Sequence, residues 1–593
     1  MDFLSRQNEA KVSPGVRAAG LAAISLLLST FVWSPAIKAS PLTQSGDGQY
    51  FHRVMEIAKV TVRRYHEIPL WNPYECGGVP LWDNPEMPVA SPLVYLTIGL
   101  PATETMWVWY ILHSAFGFVA MWLFSRRELG LSRPAALAAS CLWAFGTGHV
   151  TQYAGGHATL CNFYVFPLAV LMWRRAEKSL DYAVGLGLVF SFVFFEGGAY
   201  PLVHTGLLLG VETVLRLFHR PNILGILRAG VVVGAVAGGV SACRLLPVLD
   251  QVAAHKRELG VETDAMHAKT LEDMFFARQH AWGVPGQTYV WPEFASYFGF
   301  LAVGLAIIGL LIAGAEVWWW VFVGVAAFLL MCGHFHAYAP WHLLKSHVFP
   351  FTSMRVPSRY RLYVAAFIAT FVGLAVDRLP LRVRQWGGGR TGTELARVFA
   401  LGIALMGAGD VMAVASETVG IKWTAPPITQ VTPSPRLYLE GPGLASFLDQ
   451  PRQNRGRFAC ADSWPFTEGA PLWSGDVPQA RGFDGKSTVT DVKRTPNTFT
   501  FVVNATEPAR VLVNTAYEVG WQTNVGTTAD ASKQLAIDVP AGNHQVRVHY
   551  WPRRLTLGIV ITVIALSAAL GFLFRKFLGE LVTEIRERKK DSE

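Results

Sequence analysis

Residues 40–98, SPLTQSGDGQYFHRVMEIAKVTVRRYHEIPLWNPYECGGVPLWDNPEMPVASPLVYLTI, follow the first long apolar run of the chain and decide how the rest is read. From Asp47 to about Arg64 the spacing is helical. Tyr50, Val54, Ile57 and Val60 or Thr61 share one face, while His52, Arg53, Glu56, Lys59 and Arg63 fall on others, as in a helix lying flat on a membrane surface. Asp47 stands in SGDG, where it either caps that helix or presents a carboxylate for chemistry; one residue can do both. Further on, Pro69, Pro73, Pro80, Pro85 and Pro88 exclude regular helix. What remains is a fixed irregular loop holding Glu75, Asp83 and Glu86 beside Trp71, Tyr74 and Trp82. Aromatic faces next to carboxylates suit a sugar ring and its hydroxyls; they equally suit the Trp and Tyr belt of a bilayer interface.

The 593 residues are 51% hydrophobic and 16% charged, with a positive mean hydropathy. That balance excludes a soluble multidomain enzyme and indicates a polytopic α-helical membrane protein. Runs of about 17 to 24 apolar residues, long enough for a hydrocarbon core of about 30 Å, occur near 17–37, 103–125, 134–150, 158–174, 180–197, 200–218, 224–247, 297–314, 316–333, 359–377, 396–415 and 555–575. They predict about 12 transmembrane helices, the first of them a retained helix and not a cleaved signal peptide. The net charge of +9 is topological and does not point to nucleic acid. Lys and Arg gather in short turns: Arg6, Lys11 and Arg17 before the first run, Arg126, Arg127 and Arg133 after the second, and Arg174, Arg175 and Lys178 after the fourth. Arg216, Arg220 and Arg228, then Arg378, Arg382, Arg384 and Arg390, then Arg575 and Lys576 continue the series. Every second connection is basic, which puts both termini in the cytoplasm. The turn at Glu316 is the exception, with no Lys or Arg.

The same parity puts the first loop 38–102, the connections 148–159, 194–201, 248–296 and 334–358, and residues 416–553 on the exoplasmic side. Three regions follow: a transmembrane module 1–415, an exoplasmic domain 416–553, and a last helix with a basic tail, 554–593. Alternating segments TFTFVVN (498–504), ARVLVNT (509–515), QLAIDV (534–539) and HQVRVHY (544–550) read as antiparallel strands, so 416–553 is a β-sandwich-like domain before the last helix. No phosphate-loop pattern is present, and a donor used outside the cell would have to be membrane-borne. The six cysteines include no CxxC pair and imply neither a metal site nor a disulfide framework, although Cys76 and Cys460 could meet if both face an oxidising compartment.

Three constellations could carry chemistry. The acids of the first loop come first: Asp47 as a catalytic base, Asp83 and Glu86 for substrate contacts alongside Trp71 and Trp82. A divalent cation such as Mg or Mn, if one is used, would take these carboxylate oxygens. The second is MRVPSRYRLY (354–363), where Arg355, Arg359 and Arg361 sit at an outer boundary that disfavours them, suited to a lipid phosphate. Headgroup anchoring, or an ion pair with Glu293 or Asp250, is the plainer use. The third is His149, His157, Glu196, Tyr200, His204 and Glu293 at outer helix ends, of which His157, Glu196, Tyr200 and Glu293 are candidate substrate contacts. Asp410, inside MGAGDVMAV, suits a relay or an internal pair.

With GDGQYFHR, IPLWNPYECGGVPLWDNPEMPVASPLVYL, FFEGGAYP, CRLLPVLDQ, WPEFASYFG, MRVPSRYRLY, ARGFDG, YEVGW and PAGNHQVRVHYWP in this order, the chain resembles the YfhO-like family of bacterial membrane proteins, within the GT-C class of polyprenyl-phosphate-dependent glycosyltransferases. The resemblance implies a GT-C-like fold and a first exoplasmic loop bearing the catalytic acid, matched here by Asp47. It also implies a lipid-phosphate sugar donor entering from the bilayer and a cell-envelope glycan, lipid or protein as acceptor, at the bacterial cytoplasmic (inner) membrane. GDG stands where some relatives carry a paired acid, which leaves metal dependence open. Two rival readings are a transporter of lipid-linked sugar, for which only Asp410 lies at membrane depth, and a non-catalytic scaffold subunit acting through the β domain.

Overall fold

The computed structural model describes residues 13–590 except 41, 45, 220–221, 258, 261–263, 280–282, 425–432, 441–450, 461–463 and 467. Arg6, Lys11, Arg220 and the side chain of Lys576 lie outside the described residues. Among the described residues, seven helices are long and apolar enough to cross a membrane: Gly15–Ala39, Ala102–Arg127, Ala199–His219, Ile223–Val240, Pro357–Gln385, Gly389–Lys422 and Leu555–Arg575. An eighth span results if Gly299–Leu311 and Ala315–Met331, bent by 114° at their junction, count as one. The sequence reading of about 12 spans exceeds this number for a physical reason. The runs near 134–150 and 158–174 fold into short pieces, Arg133–Ala144, Thr147–Ala154, Ala158–Val165 and Phe166–Ala176. Ala135, Leu142, Phe145 and Phe163 in them are wholly buried, so their apolarity reflects enclosure by other helices and not contact with lipid. Leu180–Phe195 has 16 residues, about 24 Å of helix.

The basic turns gather at one pole. Arg174 pairs with Glu128 and Glu212 at 2.6 and 2.5 Å, Arg216 with Glu177 at 3.6 Å, and Arg575 with Asp181 at 2.6 Å. The acidic turn at Glu316 belongs there too, because Arg378 reaches it at 2.6 Å. The helix Asp47–Tyr65 sits at the opposite pole. Its Lys59 donates to the carbonyls of Thr97 (2.9 Å) and Leu100 (2.5 Å) and to the Thr105 hydroxyl, at the start of Ala102–Arg127. The basic end of that 26-residue helix is about 39 Å away.

The helix Asp47–Tyr65 does not lie flat on a surface. His52, Arg53, Glu56 and Lys59 on its polar side are as buried as Val54 and Ile57. Several segments cover that side: Arg452 clasps Glu56 with two bonds of 2.6 and 2.7 Å, the His52 ring lies 6.1 Å from Trp423, and Lys59 turns to residues 97–105. Amphipathic spacing identified the helix, while a second polar layer, invisible to that spacing, covers it.

The irregular loop after this helix contains a two-residue ladder, β1 (Trp71–Asn72) with β2 (Val79–Pro80). In the C-terminal region β3 (Tyr438–Glu440) pairs with β4 (Arg455–Arg457), and eight strands form two antiparallel sheets. These strands are β5 (Ala480–Gly482), β6 (Ser487–Arg494), β7 (Thr498–Ala505), β8 (Ala509–Ala516), β9 (Trp521–Thr523), β10 (Thr527–Ala531), β11 (Gln534–Val539) and β12 (Gly542–Tyr550), in orders β10-β11-β8-β5 and β6-β7-β12-β9. Alternation buries Phe499, Phe501 and Val503 of β7 against Val511, Val513, Ile537 and Val548. The first loop inserts into this core: the Trp71 ring lies 5.0 Å from Trp521 and 4.6 Å from Tyr550. Cys76 and Cys460, 384 residues apart, are disulfide-bonded with Cα atoms 4.7 Å apart. The loop is thus the hinge plate between helices and sandwich.

Candidate functional site

Asp47 is the first residue of its helix. Gly46, at φ +65°, makes the turn into it and caps it without a side chain; the Asp47 side chain is 70% exposed toward a cavity of about 360 Å³. Gly156, at φ +110°, lets the 155–157 turn close onto this helix start: a Cβ there would fall 2.1 Å from the Gly48 nitrogen. The approach brings His157 Nε2 to 3.4 Å from Asp47 Oδ2 and 3.4 Å from Glu293 Oε1. The opposite ring nitrogen of His157 faces the Gln152 amide at 2.9 Å. Arg361 Nη2 donates to Gln152 Oε1 at 2.5 Å, so the Gln152 nitrogen is the side that meets His157 Nδ1. That leaves His157 Nε2–H directed between the two carboxylates.

Arg359 forms a two-pronged pair with Glu293 at 3.1 and 2.5 Å and lies 4.7 Å from the centre of the Tyr200 ring. Burial pushes the Glu293 carboxyl up, but Arg359, His157 and Arg361 more than offset it and hold the group well below the usual carboxylate range. Arg359 is thereby neutralised. Arg355 differs: its backbone N–H donates to Tyr200 Oη at 3.1 Å, and among the described residues its guanidinium has no ion-pair partner. Val356 between them sits at φ +66°, a left-handed conformation that costs a β-branched residue dearly and that the flanking packing holds in place.

The far wall of the cavity comes from other segments. Arg257 pairs with Glu86 at 2.9 Å, and Gly197, at φ +74°, lets the FFEGGAYP turn close to within reach of the Glu86 carbonyl. Arg53 and Arg457 share the buried Glu75, Arg457 at 2.7 Å. Asp47, Glu86, His157, Tyr200, Arg355 and Arg359 therefore line one space with Tyr50, Arg53, Arg257 and Arg457. Among the described residues, five guanidinium groups face or flank four carboxylates, Asp47, Glu75, Glu86 and Glu293, and Arg355 is the arginine of the five without an ion-pair partner.

The remaining candidates stand elsewhere. Glu293 lies behind the wall as partner of Arg359 and His157. Arg361 is fully buried, tying Gln152, Pro292 and Ala295 together. Glu196 is buried against Ser91 (2.9 Å) and His113 (2.7 Å). Trp71 belongs to the sandwich core, and Trp82 donates to the Cys243 carbonyl at 2.9 Å. Asp83 is buried where helix and sandwich meet, accepting from Gln251 (3.0 Å) and Tyr550 (2.8 Å); burial pushes its carboxyl up to about 7, against the pull of those two donors. Asp410 pairs with Arg278 and Tyr297, each at 2.6 Å. Arg53, Arg257 and Arg457 were not anticipated as site residues: each sits in a segment whose local pattern says only helix face, loop or strand. Among the described residues no group of three or more His, Cys, Asp or Glu is arranged to hold a metal ion.

No protein-family model matches the chain, and no curated protein does. Among solved structures it is similar to a cryo-EM structure of arabinofuranosyltransferase AftD from Mycobacteria, at 17% identity and a TM-score of 0.40, covering 67% of this chain and 27% of that one. A mutant form of the same protein gives 17% identity and a TM-score of 0.37, over 66% of this chain and 28% of that one. The chain spans little more than a quarter of the length of these neighbours.

Proposed function

We propose that the protein is a membrane glycosyltransferase of the GT-C class that moves a sugar from a polyprenyl-phosphate donor to a cell-envelope acceptor on the exoplasmic side. The observation that carries the reading is the meeting in one cavity of an exposed carboxylate, Asp47, and an uncommitted guanidinium, Arg355, from parts of the chain about 300 positions apart. The sugar lies between them. Asp47 takes the proton of the acceptor hydroxyl as its oxygen attacks the anomeric carbon, and the lipid phosphate departs on the opposite face, so the configuration inverts. Arg355 meets the charge that develops on the leaving phosphate; Arg359, already paired, shapes the wall. His157 Nε2–H holds the Asp47 carboxylate in orientation while Glu293 keeps the imidazole in place.

The exoplasmic assignment is supported by the distribution of charge and sulfur. The basic turns collect at the pole opposite the cavity, as for a cytoplasmic face. The Cys76–Cys460 bond ties the cavity's own loop to the sandwich, which suits an oxidising compartment at that pole. The likeness to the YfhO-like family rests on the motif order quoted above.

The test is transfer by Asp47→Asn in proteoliposomes supplied with polyprenyl-phosphate sugar. The expected outcome is a loss of about 10²–10⁴-fold in rate with an unchanged melting profile; full transfer would remove Asp47 from the mechanism.

A further inference from the structure

A second cavity, about 600 Å³, opens at the other end of the Asp47–Tyr65 helix, between it, residues 435–437 and the β6 edge of the sandwich. The helix length puts it about 27 Å from Asp47. Its charged lining is lopsided: Arg64, Arg436, Lys493 and Arg494 against Asp491 alone. Tyr65, half-buried, supplies aromatic surface, with Tyr74 buried behind the wall.

The local geometry is built for presentation. The β6–β7 register shifts between Thr490 and Lys493, and Asp491 at φ +52° makes the bulge. A bulge on an edge strand turns the following side chains out of the pleat, which here sends Lys493 and Arg494 to the groove. Arg494 is held along one edge by Gln479 Oε1 at 2.8 Å and the Asn514 carbonyl at 3.3 Å, and its face lies 4.6 Å from the Phe499 ring centre. Its Nε and Nη2 have no hydrogen-bond partner among the described residues. Those two nitrogens are buried beneath the groove wall, so Arg494 adds positive charge from behind while the exposed Arg436 and Lys493 offer the donors an anionic group would meet.

We propose that this groove binds an anionic glycan chain, carboxylate- or phosphate-bearing, and that this chain is the acceptor; the second half of the statement rests on the glycosyltransferase reading above. Carboxylates or phosphates pair with Arg436 and Lys493, with Arg494 adding charge behind them, a sugar face rests on Tyr65, and the spacing from Asp47 selects a polymer over a monosaccharide.

The experiment uses the full chain in nanodiscs titrated with three oligomers: oligogalacturonate, oligomeric glycerol phosphate, and a neutral maltooligosaccharide. Binding of either anionic oligomer, weakening with salt and absent for the neutral one, is expected; the arm that binds names the anion. Arg436→Gln with Lys493→Gln, both on exposed side chains, should weaken it about fivefold to tenfold. Arg494→Gln is a second variant, and Asp47→Asn should bind as the parent does. Equal binding of the neutral oligomer, or no effect of the paired substitution, overturns the proposal. If Asp47→Asn abolishes transfer but the groove binds nothing, this inference alone fails. If the groove binds and Asp47→Asn still transfers, the acceptor assignment and the catalytic reading fail while the binding site stands.

Discussion

Arg355 and Arg359 stand four positions apart, and the structure gives them opposite consequences. Removing the Arg359 charge leaves Glu293 buried without its partner, and Arg359→Gln should cost about 3–5 kcal/mol of stability. Arg355→Gln breaks no ion pair; its stability should stay within about 0.5 kcal/mol, with the loss appearing in donor affinity instead. Thermal unfolding of both, beside donor KM for Arg355→Gln, separates the two roles. Asp83 offers a pH test. Its folded carboxyl is raised to about 7, well above the ordinary carboxylate range, so its contribution to stability is complete below about pH 4, falls as pH rises through 7, and is flat above. Asp83→Asn should flatten the unfolding temperature across pH 4 to 7; an unchanged slope would show that Asp83 is not its source. At this scale the sequence was informative about Asp47, His157, Glu86, Tyr200 and the first two arginines, because polar groups at outer helix ends face something. It was silent on which of them cancel: Arg361, Glu196 and Asp83 have the same credentials in sequence and are spent inside the fold.

Among elements, the first loop joins what the chain order separates. Its helix was legible from spacing, and its prolines announced a loop, but neither revealed that Trp71 enters the sandwich core. That contact depends on residues more than 400 positions away, and the rings that make it, Trp521 and Tyr550, carry no mark of their partner. Trp71→Ala should destabilise docking of the sandwich by about 3–5 kcal/mol, read as earlier protease cleavage between residues 416 and 553; cleavage at the parental rate would argue against it. The 155–157 turn is the other junction. Gly156→Ala meets both a left-handed φ and a backbone nitrogen 2.1 Å away, so the turn must retreat from the Asp47 helix. Transfer should fall with no change in expression, because His157 leaves Asp47. Span number was the least legible feature, since short buried helices such as Arg133–Ala144 are as apolar as the longer ones and the sequence does not mark where a run breaks.

For the whole molecule, charge separates two poles: paired basic turns at one, the arginine-rich chamber and the sandwich at the other. The strands of the sandwich followed from their alternation; its place beside the chamber follows from Arg457 and the Cys76–Cys460 bond, which no local pattern reports. The account stands on a lipid phosphate and a reacting sugar sharing the chamber between Arg355 and Asp47. A cryo-EM structure of the Asp47→Asn protein in nanodiscs loaded with polyprenyl-phosphate sugar tests that directly. The phosphate should lie within hydrogen-bond reach of the Arg355 guanidinium, with the anomeric carbon turned toward residue 47. Donor density confined to another groove, with the chamber empty, would contradict it.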